Sequence, residues 1–532
     1  MSAIDGTGSP ATVQQYIDEV PTWRDGTPAT AGAMTSMQKR IWMLASAGKF
    51  FEGMIVFMVG IAVPLIDAEF DLTSAQTGFV TAAPLLGIMI GASALGGLSD
   101  RWGRRQLFLA EIVLFTVFLL GVTVSPNFPM LVVCLVGMGL ALGCDYPTAH
   151  IMISETMPTS IRGRGVLAAF AFQSVGALAG TLVGVIVLGN RDQLSDWRWM
   201  FGVAVVPSVL VIAGRLFIVQ SPHWLLGAGR VTEAELELKR LLSRQPQYPT
   251  AITLRRAVDD GTAARKTSAG FGVLFRRPWR RSTILAAVPW FLQDLGTYGI
   301  GIFTPTIVAA TVGTAAAGDS TVTDIVHEDL QGTEGAVLID AFLLVGIVLA
   351  ILLVNRFGRI RLQIFGFLGC AAGLVIAAAS TAMSGSLQVI LIFVGFMLFN
   401  LMTNLGPNSM TYLLAGEVFP TSLRGTGAGF AASVAKVGAV LTAFLFPILL
   451  DAWGTAVIVL LLAGTSLLGA LVTWRFRVET TGLSLEDVDR MHDRDTTEKV
   501  SGRVVVGSAS GNKQSLPPNR FHPEEQHSGS TS

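Results

Sequence analysis

Residues 155–163 read Glu-Thr-Met-Pro-Thr-Ser-Ile-Arg-Gly and residues 417–425 read Glu-Val-Phe-Pro-Thr-Ser-Leu-Arg-Gly, so six of nine positions agree at an offset of 262 residues. A second pair, Asp100-Arg101-Trp102-Gly103-Arg104-Arg105 and Asn355-Arg356-Phe357-Gly358-Arg359-Ile360, returns at an offset of 255. Two motifs that recur in the same order at nearly the same distance make the chain two copies of one half. Any fold must therefore place the same turn and the same Glu-x-x-Pro-Thr-Ser-x-Arg-Gly segment twice, each time between long apolar runs.

Those runs are too long for a water-soluble core. Charged residues make up 14% of the chain against 51% hydrophobic, with a mean hydropathy of +0.58, which is the composition of an integral membrane protein. Crossing about 30 Å of hydrocarbon takes about 20 apolar residues in a helix. On that measure spans are expected near 41–64, 75–97, 107–124, 129–152, 165–189 and 199–219, then near 283–310, 337–354, 362–383, 388–413, 427–450 and 454–475. The expected fold is all-α, with twelve transmembrane helices in two pseudo-symmetric six-helix halves, 41–219 and 282–476. A central loop, 220–281, joins them and carries short helices around 232–242. Polar tails, 1–40 and 477–532, are expected to be cytosolic and disordered, the second for most of its length.

Arg101, Arg104, Arg105, Arg162, Arg164, Arg356, Arg359, Arg361 and Arg424 gather on one side of this plan, with Arg276, Arg277, Arg280 and Arg281 in the central loop. Asp67, Glu69, Asp71, Asp319, Asp324, Glu328 and Asp329 fall on the other. The positive-inside rule then puts both tails and the central loop in the cytoplasm of a cell whose plasma membrane the chain spans. Net charge is zero, and no nucleic-acid partner is expected. The three cysteines lie in apolar runs without zinc or disulfide spacing, no Walker A loop is present, and no nucleophile–base pattern points to an enzyme. No cofactor or metal is expected.

Ionisable residues inside spans are functional sites by default. Lys49, Glu52, Glu111, Asp145, Asp294 and Lys436 stand out. Trp290, Asp294 and Tyr298 follow at four-residue steps, so an indole, a carboxyl and a phenol share one helical face. Asp294 serves a substrate or a proton there, or else pairs with Lys436 to hold the halves together. Lys436 has no acid within four residues, so its partner comes from another helix or from an anionic substrate. Glu52 and Lys49 lie one turn apart and are able to neutralise each other. Asp145 precedes Pro147, where it either satisfies a broken helical turn or relays protons. Glu111 either relays protons or accepts from an Arg or Ser neighbour. On the basic side, Asp100 with Arg104 or Arg105, and Glu155 with Arg162 or Arg424, are expected to make contacts that gate the two halves, with Glu417 and Arg101 in the same motifs.

Gly96-Gly97-Leu98-Ser99-Asp100-Arg101-Trp102-Gly103-Arg104-Arg105 resembles the loop signature of the major facilitator superfamily, and Ser221-Pro222-His223-Trp224-Leu225-Leu226 with Glu479-Thr480-Thr481-Gly482 resembles the marks of its sugar-porter-like branch. His223 stands where that branch has Arg. Within the spans, Gly143-Cys144-Asp145-Tyr146-Pro147, the Trp290–Asp294–Tyr298 spacing, Gly406-Pro407-Asn408 and the Lys436 segment resemble phosphate:proton symporters, with parts shared by bacterial metabolite:proton symporters. The resemblance implies proton-coupled symport by alternating access, with inorganic phosphate as the leading substrate and an organic acid or sugar as the alternative. It implies substrate contacts at Tyr146, Gln173, Trp290, Asp294, Tyr298 and Asn408, to which Lys436 is added on the strength of its own need for a partner. It also implies a proton route along Glu52, Glu111 and Asp145, which Asp294 joins as a carboxyl inside a span. A non-transporting nutrient sensor on the same scaffold is the rival from another class. The expected partners are a small solute, an anion by this reading, protons and the bilayer, with the molecule acting as a monomer.

Overall fold

The computed structural model describes residues 11–19, 34–94, 102–243, 252–254, 271–277, 279–312, 321–419 and 423–478. Asp100, Arg101 and the 479–532 tail lie outside them, and Tyr146 and Arg424 are described only as parts of helices.

The first half consists of α2 (Ser36–Phe70), α3 (Ser74–Ala94), α4 (Arg104–Thr123), α5 (Phe128–Thr156), α6 (Thr159–Leu188) and α7 (Trp197–Leu216), preceded by a short α1 (Val13–Asp18). Two short helices, α8 (Pro222–Gly227) and α9 (Val231–Leu242), follow, and α9 contains the stretch expected to be helical in the central loop. The second half consists of α10 (Arg280–Val312), α11 (Val322–Phe357), α12 (Arg359–Ser380), α13 (Ser386–Leu405), α14 (Pro407–Glu417) and α15 (Arg424–Phe476).

Ten of the described helical stretches are long and apolar enough to cross a membrane. One of them, running to Phe476, reverses at Gly454, whose φ of 72° is open to glycine at little steric penalty. With α10, which is 33 residues long but more polar, the passes come to twelve. The expected span 388–413 is divided, because Gly406 leaves helical geometry (φ −119°, ψ −92°) and Pro407 starts a new helix at its first turn.

In lipid, helices gain little from burying apolar side chains and associate by close packing. Hence α3 and α5 meet through paired small residues: a Cβ at Gly87 or Gly91 would overlap the carbonyl oxygens of Val136 and Leu140, and one at Gly139 or Gly143 those of Pro84 and Ile88. Large apolar residues instead face outward at helical spacing, as Val113, Val117 and Leu120 do on α4 and Val203, Val206 and Leu210 on α7. The halves meet in a two-fold manner, α3 against α15, α6 against α11, and α2 against α10.

The N-terminal segment departs from the expectation of disorder. Thr12 caps α1 in a reciprocal box with Gln15, and Val13, Tyr16 and Ile17, on one face, are buried. Six residues cannot sustain a helix alone. Packing against the central segment holds them, through the Tyr16 hydroxyl to Thr253 and a backbone bridge from Ala11 to Leu254.

Candidate functional site

Two buried ion clusters lie in the interior. The first joins the halves. On α2, Glu52 accepts from Lys49 at 2.5 Å and from Lys436 of α15 at 3.3 Å. Lys436 also lies 3.6 Å from Asp294 and 2.6 Å from the Tyr298 hydroxyl, both on α10. The Tyr298 hydroxyl donates to Glu52 at 3.1 Å, and Gln173 of α6 reaches the same hydroxyl at 3.4 Å. Lys49 and Lys436 are thus matched by Glu52 and Asp294. An unmatched charge at this depth costs about 2.5–3.5 kcal/mol even on the insertion scale.

The four charges are not equally held. Glu52 has two lysines and a phenol, whereas among the described residues Oδ2 of Asp294 has no hydrogen bond and meets Lys436 only at the 3.6 Å ion-pair distance. Gln173 also presents an unbonded buried amide oxygen, as does Gln293, one residue before Asp294. Trp290 is buried one turn before Asp294 and meets Tyr412 edge-on at 6.3 Å. Asn408 donates to Asn404 at 2.7 Å at the start of α14. The sequence-derived residues Gln173, Asp294, Tyr298, Lys436 and Glu52 come together; Asn408 joins a neighbouring chain of amides instead.

The second cluster lies within the first half and is centred on a residue that sequence reading missed. Arg215, in the last turn of α7 and fully buried, donates to Glu111 at 3.1 Å, to Asp145 at 2.5 Å and to the carbonyl oxygens of Phe108 and Leu44. The Phe108 ring lies 3.4 Å beneath its guanidinium. A Cβ on Gly48 would overlap the Asp145 carboxylate, so glycine at that place lets the carboxylate sit against α2 on its way to Arg215. Glu111 and Asp145, grouped by resemblance with Glu52 on a proton route, therefore share one arginine. A cavity between the two clusters is lined by Lys49, Glu52, Asp145, His150, Phe170 and Tyr412. Tyr412 closes it from the second half, stacking on Phe170 at 4.7 Å and meeting His150 at 3.2 Å. Tyr412 carries no signal in the sequence, and His150 reads there as a surface residue near the cytoplasmic boundary.

The repeated motifs repeat in space. Arg104 contacts Glu155 at 3.5 Å, and the equivalent Arg359 contacts both carboxylate oxygens of Glu417 at 3.2 Å. Ser221 adds a hydrogen bond to Glu155 at 2.5 Å. One expected partner of Glu155, Arg162, donates instead to the Met157 carbonyl oxygen at 3.3 Å, while Arg104 and Ser221 occupy the carboxylate. Arg105 bonds the Leu216 carbonyl oxygen and, through its backbone N–H, the side chain of Gln220.

Residues 23–492 match the family described as sugar (and other) transporter. The inner membrane metabolite transport protein YgcS of Escherichia coli (strain K12) is 29% identical over 455 residues, 84% of this chain and 92% of that protein. The glucose transporter GlcP of Staphylococcus epidermidis is 26% identical over 455 residues, 84% of this chain and 96% of its own. Among solved structures, the major facilitator superfamily proton:xylose symporter XylE bound to 6-bromo-6-deoxy-D-glucose superposes with a TM-score of 0.65 at 20% identity, covering 86% of this chain and 99% of that one. That likeness shows the fold.

Proposed function

Because the chain belongs to the sugar (and other) transporter family, and is a multi-pass membrane transporter rather than an enzyme, we propose that it carries a small sugar or related polar metabolite together with a proton by alternating access. The carrying observation is the matched cluster of Lys49, Glu52, Asp294 and Lys436 between the halves. With all four groups charged it is neutral and holds no standing positive charge for phosphate, the substrate to which the Trp290–Asp294–Tyr298 spacing points by resemblance. It does leave hydrogen-bonding groups suited to hydroxyls, in the free amide oxygens of Gln173 and Gln293 and the indole of Trp290. Relatives named for glucose and xylose support the sugar reading over phosphate.

Asp294 is the proton acceptor in this reading, since among the described residues its Oδ2 has no hydrogen bond and meets Lys436 only at 3.6 Å. A proton there releases Lys436 toward Glu52 and strengthens the tie between α15 and α2. Loss of the proton draws Lys436 back to Asp294 on its own half and weakens that tie. Proton binding is thereby linked to how the halves meet.

The test is uptake of labelled xylose, glucose and phosphate into proteoliposomes with and without an inward proton gradient. Sugar accumulation that needs the gradient is expected, with Asp294→Asn abolishing accumulation while retaining sugar exchange. Phosphate accumulation without sugar uptake would replace the sugar by the anion, and unimpaired accumulation by the variant would remove Asp294 from the coupling step.

A further inference from the structure

Away from both ion clusters, Asp340 lies midway along α11 with 1% of its surface exposed. Its Oδ2 is 2.8 Å from the hydroxyl of Thr181 on α6, in the other half. Its Oδ1 accepts from the Asn400 amide of α13 at 3.2 Å, and the same amide donates to the Ile339 carbonyl oxygen at 3.2 Å. One turn along, the pattern recurs: Asn404 donates to the Leu343 carbonyl oxygen at 2.9 Å and to the Ser174 hydroxyl of α6 at 2.7 Å. Two rungs thus tie α6 to α11, each built on an asparagine of α13. They differ in that one contains a carboxyl group and the other only neutral groups.

The surroundings offer that carboxyl no cation. Between residues 165 and 188 α6 has no ionisable side chain, and α13 has none over its whole length. On α11 itself the nearer ionisable groups, Glu328, Asp329 and Glu334, are acids, while His327, which meets Gln331 at an exposed site, and Arg356 lie toward its two ends. Across the interface, Glu52 of α2 and Asp294 of α10 are engaged by Lys49 and Lys436. Among the described residues the partners of Asp340 are Thr181 and Asn400. A bare carboxylate at this depth is costly. The hydrogen count points the same way, because the single Thr181 proton faces two acceptors, the Ala177 carbonyl oxygen at 3.0 Å and Asp340. If Oδ2 carries a proton it donates to Thr181, Thr181 donates to Ala177, and all three groups are satisfied.

We propose that Asp340 is a proton-binding site separate from the Lys436 cluster, and that its protonated form latches α6 to α11 through Thr181. When the halves part and water reaches the seam, the proton passes to water, Thr181 turns to donate to the carboxylate, and the charge keeps the seam hydrated and open. The site deepens the symport reading by adding a second protonation step at the contact between halves, yet its test needs no solute, so the two can fail separately.

Infrared spectra of the purified protein in H2O and D2O at neutral pH test it. The wild type is expected to show a buried protonated-carboxyl C=O band that Asp340→Asn removes and that Thr181→Val shifts to higher frequency without removing. Retention of every such band in Asp340→Asn would overturn the proposal. Hydrogen exchange of peptides spanning 174–188 and 333–343 provides a second reading. After correction for intrinsic rates, wild-type exchange should rise with pH while Asp340→Asn, permanently neutral, stays flat; an equal rise in both rejects the latch.

Discussion

Arg215 shows how one side chain organises several helices. It draws Glu111 of α4 and Asp145 of α5 onto the end of α7 and ties down a carbonyl of α2, all without exposure to solvent. Breaking a buried ion pair from one side costs roughly 3–5 kcal/mol, because the remaining charges are left uncompensated. Arg215→Met is accordingly expected to lower the melting temperature in detergent sharply, and Glu111→Gln with Asp145→Asn in the same chain to restore part of the loss. An unchanged melting temperature in the single variant would show that the two acids are neutral or otherwise satisfied. The sequence made the acids visible but hid the arginine, since a basic residue in the last turn of an apolar run has the same pattern as one that reaches for the membrane surface. Asp340, inside the expected span 337–354, was legible as an ionisable residue in a span; what the sequence hid was its partners, Thr181 and Asn400, which are distant in sequence and unremarkable alone.

At the level of helices, the decisive contacts are those where two backbones touch. A Cβ on Gly60 of α2 would overlap the carbonyl oxygen of Ile302 on α10, so this contact between halves admits only glycine without a shift of backbone. Overpacking costs typically 1–3 kcal/mol. Because Gly60 joins the halves, that energy falls on the closed arrangement, and a bias of this size shifts such an equilibrium roughly 5–150-fold. Gly60→Val is expected to leave the protein folded and to reduce transport by about tenfold or more, with higher accessibility of a cysteine introduced at the adjoining face. Gly87→Val, placed between α3 and α5 within one half, should instead lower thermal stability; the reverse pattern would contradict this division. The helices themselves were legible because apolar runs of membrane-spanning length carry their own signal. The division at Gly406 was not, since a glycine followed by a proline also occurs inside kinked but continuous spans.

Over the whole molecule, the repeat announced two halves, and the structure adds a clasp joining the N-terminal segment, the first repeated motif and the central segment. Asp18 accepts from the backbone N–H and the hydroxyl of Thr159, the first residue of α6. Burial pushes the Asp18 carboxyl up, but these bonds and the nearby Arg162 outweigh it and hold it below the ordinary aspartate range. A carboxylate so depressed contributes stability above its unfolded value, about 3.9, and that stability is lost as pH falls through the lower folded value. Limited proteolysis should therefore find the 11–19 segment protected at neutral pH and released on acidification or by Asp18→Ala, with cleavage that ignores both changes counting against the clasp. Sequence reading missed it because six residues of weak amphipathic pattern carry no helical signal until their partners are present.

The bridge from Ala11 to Leu254 also bears on the order in which the chain is completed. Synthesis runs from the N-terminus, so residues 11–18 are made before the six helices of the first half and must wait, undocked, until those helices and the following segment have been made. A segment made before that half is thus among the last to find its place on it, and its docking marks the half as finished.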